Sequence, residues 1–240
     1  MLAELLKKWG WFIKNSLLIV AYAVVALPLY HLVAEIHIRE PTTLFTPIDY
    51  MIPFVSFFAI FYVFIYYPFF LFSIGLFSYI RKEKADKFFT ALFSIYIVSY
   101  ITYIIFPVMM IRPAPEELPK DFLSQVMAKY YEQDPPLNCF PSLHAATSTL
   151  SAYFYYQENK KIGIVAWVIT FLIILSTLFV RQHVIADEIA GFLVAFIFGH
   201  LSNKFIREGE REEKIPLWRI TFTIVLWLII TMYLISQYIP

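Results

Sequence analysis

A chain of 240 residues that is 60% hydrophobic, 20% aromatic and only 15% charged, with a mean hydropathy of +0.67, falls outside the composition of a soluble globular domain. It reads as an integral membrane protein. A formal net charge of +1 offers no strongly basic face for nucleic acid or acidic partners, and the single cysteine, Cys139, excludes an intrachain disulfide while leaving the redox compartment open.

A spanning helix needs about 20 mostly apolar residues, and seven stretches qualify, at about 9–33, 52–79, 88–107, 141–157, 162–180, 184–202 and 216–239. The expected fold class is therefore all-α, a polytopic membrane helix bundle. The first run follows Lys7 and Lys8 and contains Ala21-Tyr22-Ala23, which has the form of a signal-peptide cleavage site. The apolar run continues well past it, so an uncleaved anchor is expected. In the second run Pro68 falls mid-segment, which predicts a kink and a freed carbonyl that a neighbour must satisfy.

Three charged connections, 81–87, 158–161 and 204–214, alternate with apolar ends in a way that puts them on the same side as the N-terminus. With Lys7, Lys8, Lys14 and Arg219 that side holds 14 of the 19 basic residues, so it is expected to be cytoplasmic. The long loop at about 108–140 then faces the extracytoplasmic side. Within it Phe122, Val126 and Tyr130 recur every four residues beside Leu123, Met127 and Tyr131, opposed or flanked by Asp121, Gln125, Lys129 and Glu132. This pattern predicts an amphipathic helix at the membrane surface, either a lid or lipid-entry gate or a helix that merely closes the fold. No internal repeat, low-complexity tract or second domain is visible, and the chain reads as a single membrane domain, 1–240.

Two histidine motifs stand where apolar runs begin on the extracytoplasmic side: Pro141-Ser142-Leu143-His144, and Arg181-Gln182-His183 followed by Asp187. Pro141 suits the first turn of a helix, which would leave N–H groups near Ser142 and Leu143 free to favour a phosphate, with the Ser142 hydroxyl adding a hydrogen bond. His183 and Asp187 are four apart and share a helix face, so the carboxylate can fix the Nδ1–H tautomer and leave Nε2 as nucleophile or base. The same pair without chemistry would be a buried hydrogen bond. Arg112-Pro113 follows the third run and Arg181 precedes His183 by two; guanidinium forks match phosphate oxygens, although a single interfacial arginine is ordinarily a snorkelling anchor.

Together these residues resemble the type 2 phosphatidic acid phosphatase superfamily, integral membrane lipid phosphatases and phosphotransferases. Its three signatures are Lys, six residues, Arg-Pro; Pro-Ser-Gly-His; and Ser-Arg, five residues, His, three residues, Asp. Here Arg112-Pro113 stands for the first, with Ile105 at the lysine position; Leu143 replaces the glycine of the second; Ser176, His183 and Asp187 fit the third, with Thr177 at the arginine. Pro-Ser-Leu-His-Ala with a basic residue, Gln, His and a later Asp looks like the inositol phosphorylceramide synthase-type branch. The resemblance covers about 88–202, the catalytic core it implies, as part of a six-helix phosphatase core plus one additional C-terminal transmembrane helix. It implies His183 as nucleophile forming a phosphohistidine, Asp187 as its orienter and His144 as general acid, with no metal and no cofactor required. Arg112, Arg181 and Ser142 would bind phosphate, the partners being a membrane lipid substrate and a lipid alcohol acceptor.

The departures carry information. The usual signature brings three cations to a phosphomonoester of about −1.5 to −2 charge, whereas this chain offers Arg112 and Arg181, a better match to a phosphodiester of about −1. That leans toward head-group transfer, with phosphomonoester or prenyl-diphosphate hydrolysis as the alternative and a non-enzymatic lipid-binding or transport protein as the reading from another class. Glu188 either touches a hydroxylated head group or serves the helix dipole. His31, His37 and His200 lack a partner motif, and a zinc site from His144, His183 and Asp187 lacks a fourth ligand at a telling spacing.

Overall fold

The computed structural model describes residues 2–26, 28–211 and 214–239. Leu27 of the first apolar run and Glu212 and Glu213 of the charged stretch at 204–214 lie outside the described residues. Regular structure among the described residues is helical: α1 (Leu2–Ala26), α2 (Pro28–Glu35), α3 (Pro47–Met51), α4 (Tyr66–Gly75), α5 (Ala85–Ile105), α6 (Phe122–Gln133), α7 (Leu143–Glu158), α8 (Lys160–Phe179), α9 (Ile185–Phe205) and α10 (Leu217–Ser236). A lone parallel bridge joins Thr42 and Val108.

Six segments are long and apolar enough to cross a membrane: Trp9–Glu35, Ser56–Ile80, Lys82–Ile105, Lys160–Phe179, Ile185–Phe205 and Leu217–Ser236. The protein is an all-α polytopic membrane bundle. The seventh stretch expected to span, at about 141–157, is instead the 16-residue α7, which falls short on length and apolarity. Its place in the bundle explains why. Leu143 and residues 145–155 are all buried, against α4, α5, α8 and α9, so this helix needs no lipid-facing surface. Three of its hydroxyls are satisfied internally: Thr147, Ser148 and Ser151 each donate to the carbonyl one turn back at 2.6–2.8 Å.

Two glycines let α8 and α9 close on α7. A Cβ at Gly163 would stand 2.3 Å from the Tyr156 backbone, and one at Gly191 would stand 2.3 Å from the Ser142 carbonyl oxygen. Around Pro68 the backbone takes π-helical turns at Ile60–Ile65 and Leu76–Ile80, and Trp227 of α10 donates its indole N–H to the Pro68 carbonyl at 2.6 Å.

At the end of the bundle where α5 begins and α7 ends, Arg81 and Lys84 pair with the Glu158 carboxylate, and the Gly209 N–H donates to the Glu83 carbonyl at 2.8 Å. The opposite end gathers α2, α3, α6 and the loop residues 106–121 and 134–142. There α6 shows the expected amphipathic face, with Val126, Met127 and Tyr130 buried against Ala59, Tyr62, Val63 and Val180, although Phe122 is exposed.

Candidate active site

The site is built where α7 and α9 begin. Ser142 is the N-cap of α7: its Oγ accepts from the Ala145 N–H at 3.2 Å. Its own N–H donates to the Asp187 carbonyl at 3.0 Å, while the Tyr103 hydroxyl donates to the Pro141 carbonyl at 2.8 Å. The helix thus begins at Leu143 rather than at Pro141, and the Ser142 amide is not free. Ser142 is fully buried, and its polar groups join α7 to α9.

His144 follows in the first turn. Its ring lies against those of Tyr62 and Tyr66, with centroids 4.7 and 4.5 Å away and tilts of 34° and 50°. No protein group among the described residues hydrogen-bonds its ring nitrogens. The ring of His183 lies 5.6 Å from it, inclined by 64°, so two motifs remote in the chain meet.

His183 is placed by a tight turn. Arg181 adopts a left-handed backbone, φ 53°, and the N–H groups of Gln182 and His183 both donate to the Thr177 carbonyl, at 2.8 and 3.3 Å. Asp187, 1% exposed, reaches back to the start of α9: its Oδ2 lies 3.3 Å from His183 Nδ1 and accepts the Val184 N–H at 3.0 Å. The Asp49 carboxylate of α3 accepts the Ile185 N–H at 2.9 Å. Burial works against the His183 imidazolium, yet the hydrogen bond to Asp187 and the charges of Glu188, Asp187 and Asp134 together raise its pKa above the ordinary histidine value.

The two arginines part company. Arg112 donates to the Asp134 carbonyl and carboxylate, both at 2.7 Å, and to Gln182 Oε1, with its guanidinium over the Tyr131 ring. Burial pushes the Asp134 carboxyl upward even though Arg112 and Tyr30 pull it back. Arg181 does not join the histidines. Its Nη1 donates to the carbonyls of Asp49 and Ile52 at 2.9 and 3.0 Å, because the left-handed turn aims it at α3. Glu188 is buried against the hydroxyls of Ser142 and Thr177, so it sits where the resemblance would have placed a cation.

A cavity of about 500 Å³ opens from the pair. Asp134, His144 and His183 line part of it, and apolar side chains of α1, α4 and α10, such as Ile19, Phe70, Ile74, Leu226 and Ile230, line much of the rest together with tyrosines such as Tyr22 and Tyr96. Of the remaining histidines, His31 also lines it. For a metal, the trio close enough among the described residues is Cys139, His183 and Asp187, with one donor atom from each within 4.8 Å of the others. His144 is not in that trio, and the ring nitrogen of His183 that faces Asp187 already has a partner.

Sequence reasoning missed Tyr62, Tyr66 and Asp134, and read Gln182 only as part of the third motif, not as a partner of Arg112. Two tyrosines four apart in an aromatic run were the available signal for the first two. Asp134 carries none, since its role appears only through Arg112. Chemically, an imidazole oriented by a carboxylate presents Nε2 as nucleophile or base, and a second imidazole beside it can carry the proton of whatever leaves or enters.

A model described as the PAP2 superfamily matches residues 87–211, over half of the chain, a segment that includes Arg112-Pro113 and both histidine motifs. No curated protein and no solved structure matches the chain. With the matched segment supplying both imidazoles that meet at the cavity, the chain belongs to the PAP2 superfamily, whose members are phosphatases and phosphotransferases.

Proposed function

We propose that this protein transfers the phosphate-linked head group of a membrane lipid through a phosphohistidine at His183, as in the inositol phosphorylceramide synthase-type branch. The observation that carries the reading is the meeting of the two imidazoles, 5.6 Å between centroids, in a cavity whose remaining walls are apolar enough for a lipid tail. In the first step Nε2 of His183 attacks phosphorus; the bond from phosphorus to the departing alcohol oxygen breaks, and His144 gives that oxygen its proton. In the second, His144 takes the proton of an acceptor alcohol, or of water, as its oxygen displaces His183 from phosphorus. Asp187 holds the ring of His183, and Arg112 supplies positive charge to the phosphoryl oxygens.

The charge balance favours a diester. Arg112 is tied to Asp134, Arg181 is turned to α3, and the carboxylates of Asp187, Glu188 and Asp134 all act on His183. A dianionic monoester meets more repulsion there than a monoanionic diester. The concentration of basic residues toward the end of the bundle remote from the histidines supports a cytoplasmic N-terminus and a site open to the extracytoplasmic side.

Purified protein in detergent, offered phosphatidylinositol, phosphatidate or a prenyl diphosphate with and without a lipid alcohol, tests this. A new phosphodiester formed only with the acceptor is the expected result. Inorganic phosphate released without acceptor would make the protein a hydrolase instead. No turnover of any substrate, with His183→Ala indistinguishable from wild type, would remove the enzyme reading.

A further inference from the structure

His144 is asked to hold a proton at the right moment, yet no protein group among the described residues hydrogen-bonds its ring. What flanks it is aromatic, and both rings come from residues before 87, ahead of the segment that the superfamily match covers. Tyr62 lies in the π-helical turn Ile60–Ile65 and Tyr66 opens α4, so the wide turn presents both rings to α7. Each is itself fixed. The Tyr66 hydroxyl pairs at 3.1 Å with Thr147 Oγ1, one turn beyond His144 on the same helix, and Tyr62, fully buried, packs edge-on against Tyr130 of α6 at 4.9 Å.

We propose that Tyr62 and Tyr66 are positioning residues for His144, their ring faces fixing its orientation and favouring its protonated form. The inference rests on the general-acid role given to His144 above. The titratable and charged groups around that imidazole are His183 from the turn before α9, Arg112 from the loop after α5, Asp134 after α6, and the two phenols. Burial opposes a positive charge on His144 most, and His183 and Arg112 add to that opposition. The negative face of an aromatic ring counters that opposition without a carboxylate, so the proton stays transferable. A hydrogen-bonded acid in the same place would hold the proton more tightly and compete with the substrate for it.

The test compares Tyr62→Leu and Tyr66→Leu with Tyr62→Phe and Tyr66→Phe, following kcat and KM against pH. The phenylalanine variants keep the ring face and should retain most of the activity. The leucine variants should lose about tenfold or more in kcat with KM changed little, and the basic limb of the profile should move to lower pH by about 0.5 to 1.5 units. Adding Tyr66→Leu to His144→Ala should then cost almost nothing further, because the ring acts through the imidazole. Phenylalanine variants as impaired as the leucine ones, leucine variants with an unmoved pH profile, or a full additional loss on top of His144→Ala would each overturn the proposal. Titration of the His144 imidazole by NMR in Tyr66→Leu and Tyr66→Phe reads the same effect without turnover. A protein that is inactive but shows the shift would separate failure of the functional reading from failure of this one.

Discussion

The two histidines of the site are held by opposite means. His183, in the turn before α9, is gripped by a carboxylate four residues later in the first turn of that helix, with further negative charge from Glu188 and Asp134. His144 has no such partner among the described residues and lies against the tilted rings of two tyrosines that precede it by 82 and 78 positions in the chain. The contrast teaches that one pocket can set two imidazoles in different surroundings. A carboxylate hydrogen bond holds one ring, while aromatic contact on the other leaves its nitrogens without a protein partner among the described residues.

The contrast breaks most sharply at His183→Ala, where loss of the proposed nucleophile should lower kcat on the order of 10⁴-fold or more in a head-group release assay. Asp187→Asn comes next, at about 10²- to 10⁴-fold, because the amide no longer fixes the tautomer. Its pH profile carries the sign. The hydrogen bond and charge of Asp187 raise the pKa of His183, so removing them should move the acidic limb of kcat/KM to lower pH. By linkage, the raised pKa means that the pair's contribution to stability is fully present below the ordinary histidine range and is lost as pH rises through the raised value. A melting temperature that falls across that window in wild type, and not in Asp187→Asn, checks this.

Arg112→Ala should cost about 10²-fold in kcat, the scale of one lost donor to a transition-state oxyanion. Gly191→Ala attacks the joint that brings both motifs together. The added Cβ would meet the Ser142 carbonyl at 2.3 Å, and forcing the helices apart should destabilise the protein by about 1–3 kcal/mol, read as a lower melting temperature in detergent. The smallest effect on catalysis belongs to Arg181→Ala. Its guanidinium serves two carbonyls of the α3 segment, so kcat should stay within about tenfold while melting falls by the loss of charged hydrogen bonds, about 1.5–3 kcal/mol. If Arg181→Ala proved as damaging to kcat as Arg112→Ala, the division between the two arginines would be wrong.

What was legible follows from the range of each interaction. Apolar runs report their own helices, so the elements at 9–33, 52–79, 88–107, 162–180, 184–202 and 216–239 correspond to the six apolar segments of the structure. The stretch at 141–157 is also helical, but enclosure on every side relieves it of the apolarity that a lipid-facing helix needs. The pairing of His183 with Asp187 was visible because a spacing of four is a local signal. The partners of Arg181 were not legible for the converse reason: its acceptors are the carbonyls of Asp49 and Ile52, 132 and 129 positions earlier in the chain. The partner of the Ser142 amide, the Asp187 carbonyl, was equally remote. Tyr62 and Tyr66 share a spacing of four, but in a run where every neighbour is apolar or aromatic that spacing does not stand out.

The cavity divides its labour along the chain. Both imidazoles come from the segment matched to the superfamily, 87–211, whereas Ile19, Phe70, Ile74, Leu226 and Ile230 belong to helices before or after it. Reagent and most of the mould are thus written in separate stretches of sequence, although Tyr96, Tyr130 and Leu143 of the matched segment also line the cavity. Exchanging α1 or α10 for another pair of helices would recast the shape available to a hydrocarbon guest while leaving the reacting groups untouched, so breadth of diet and chemical competence are free to vary independently.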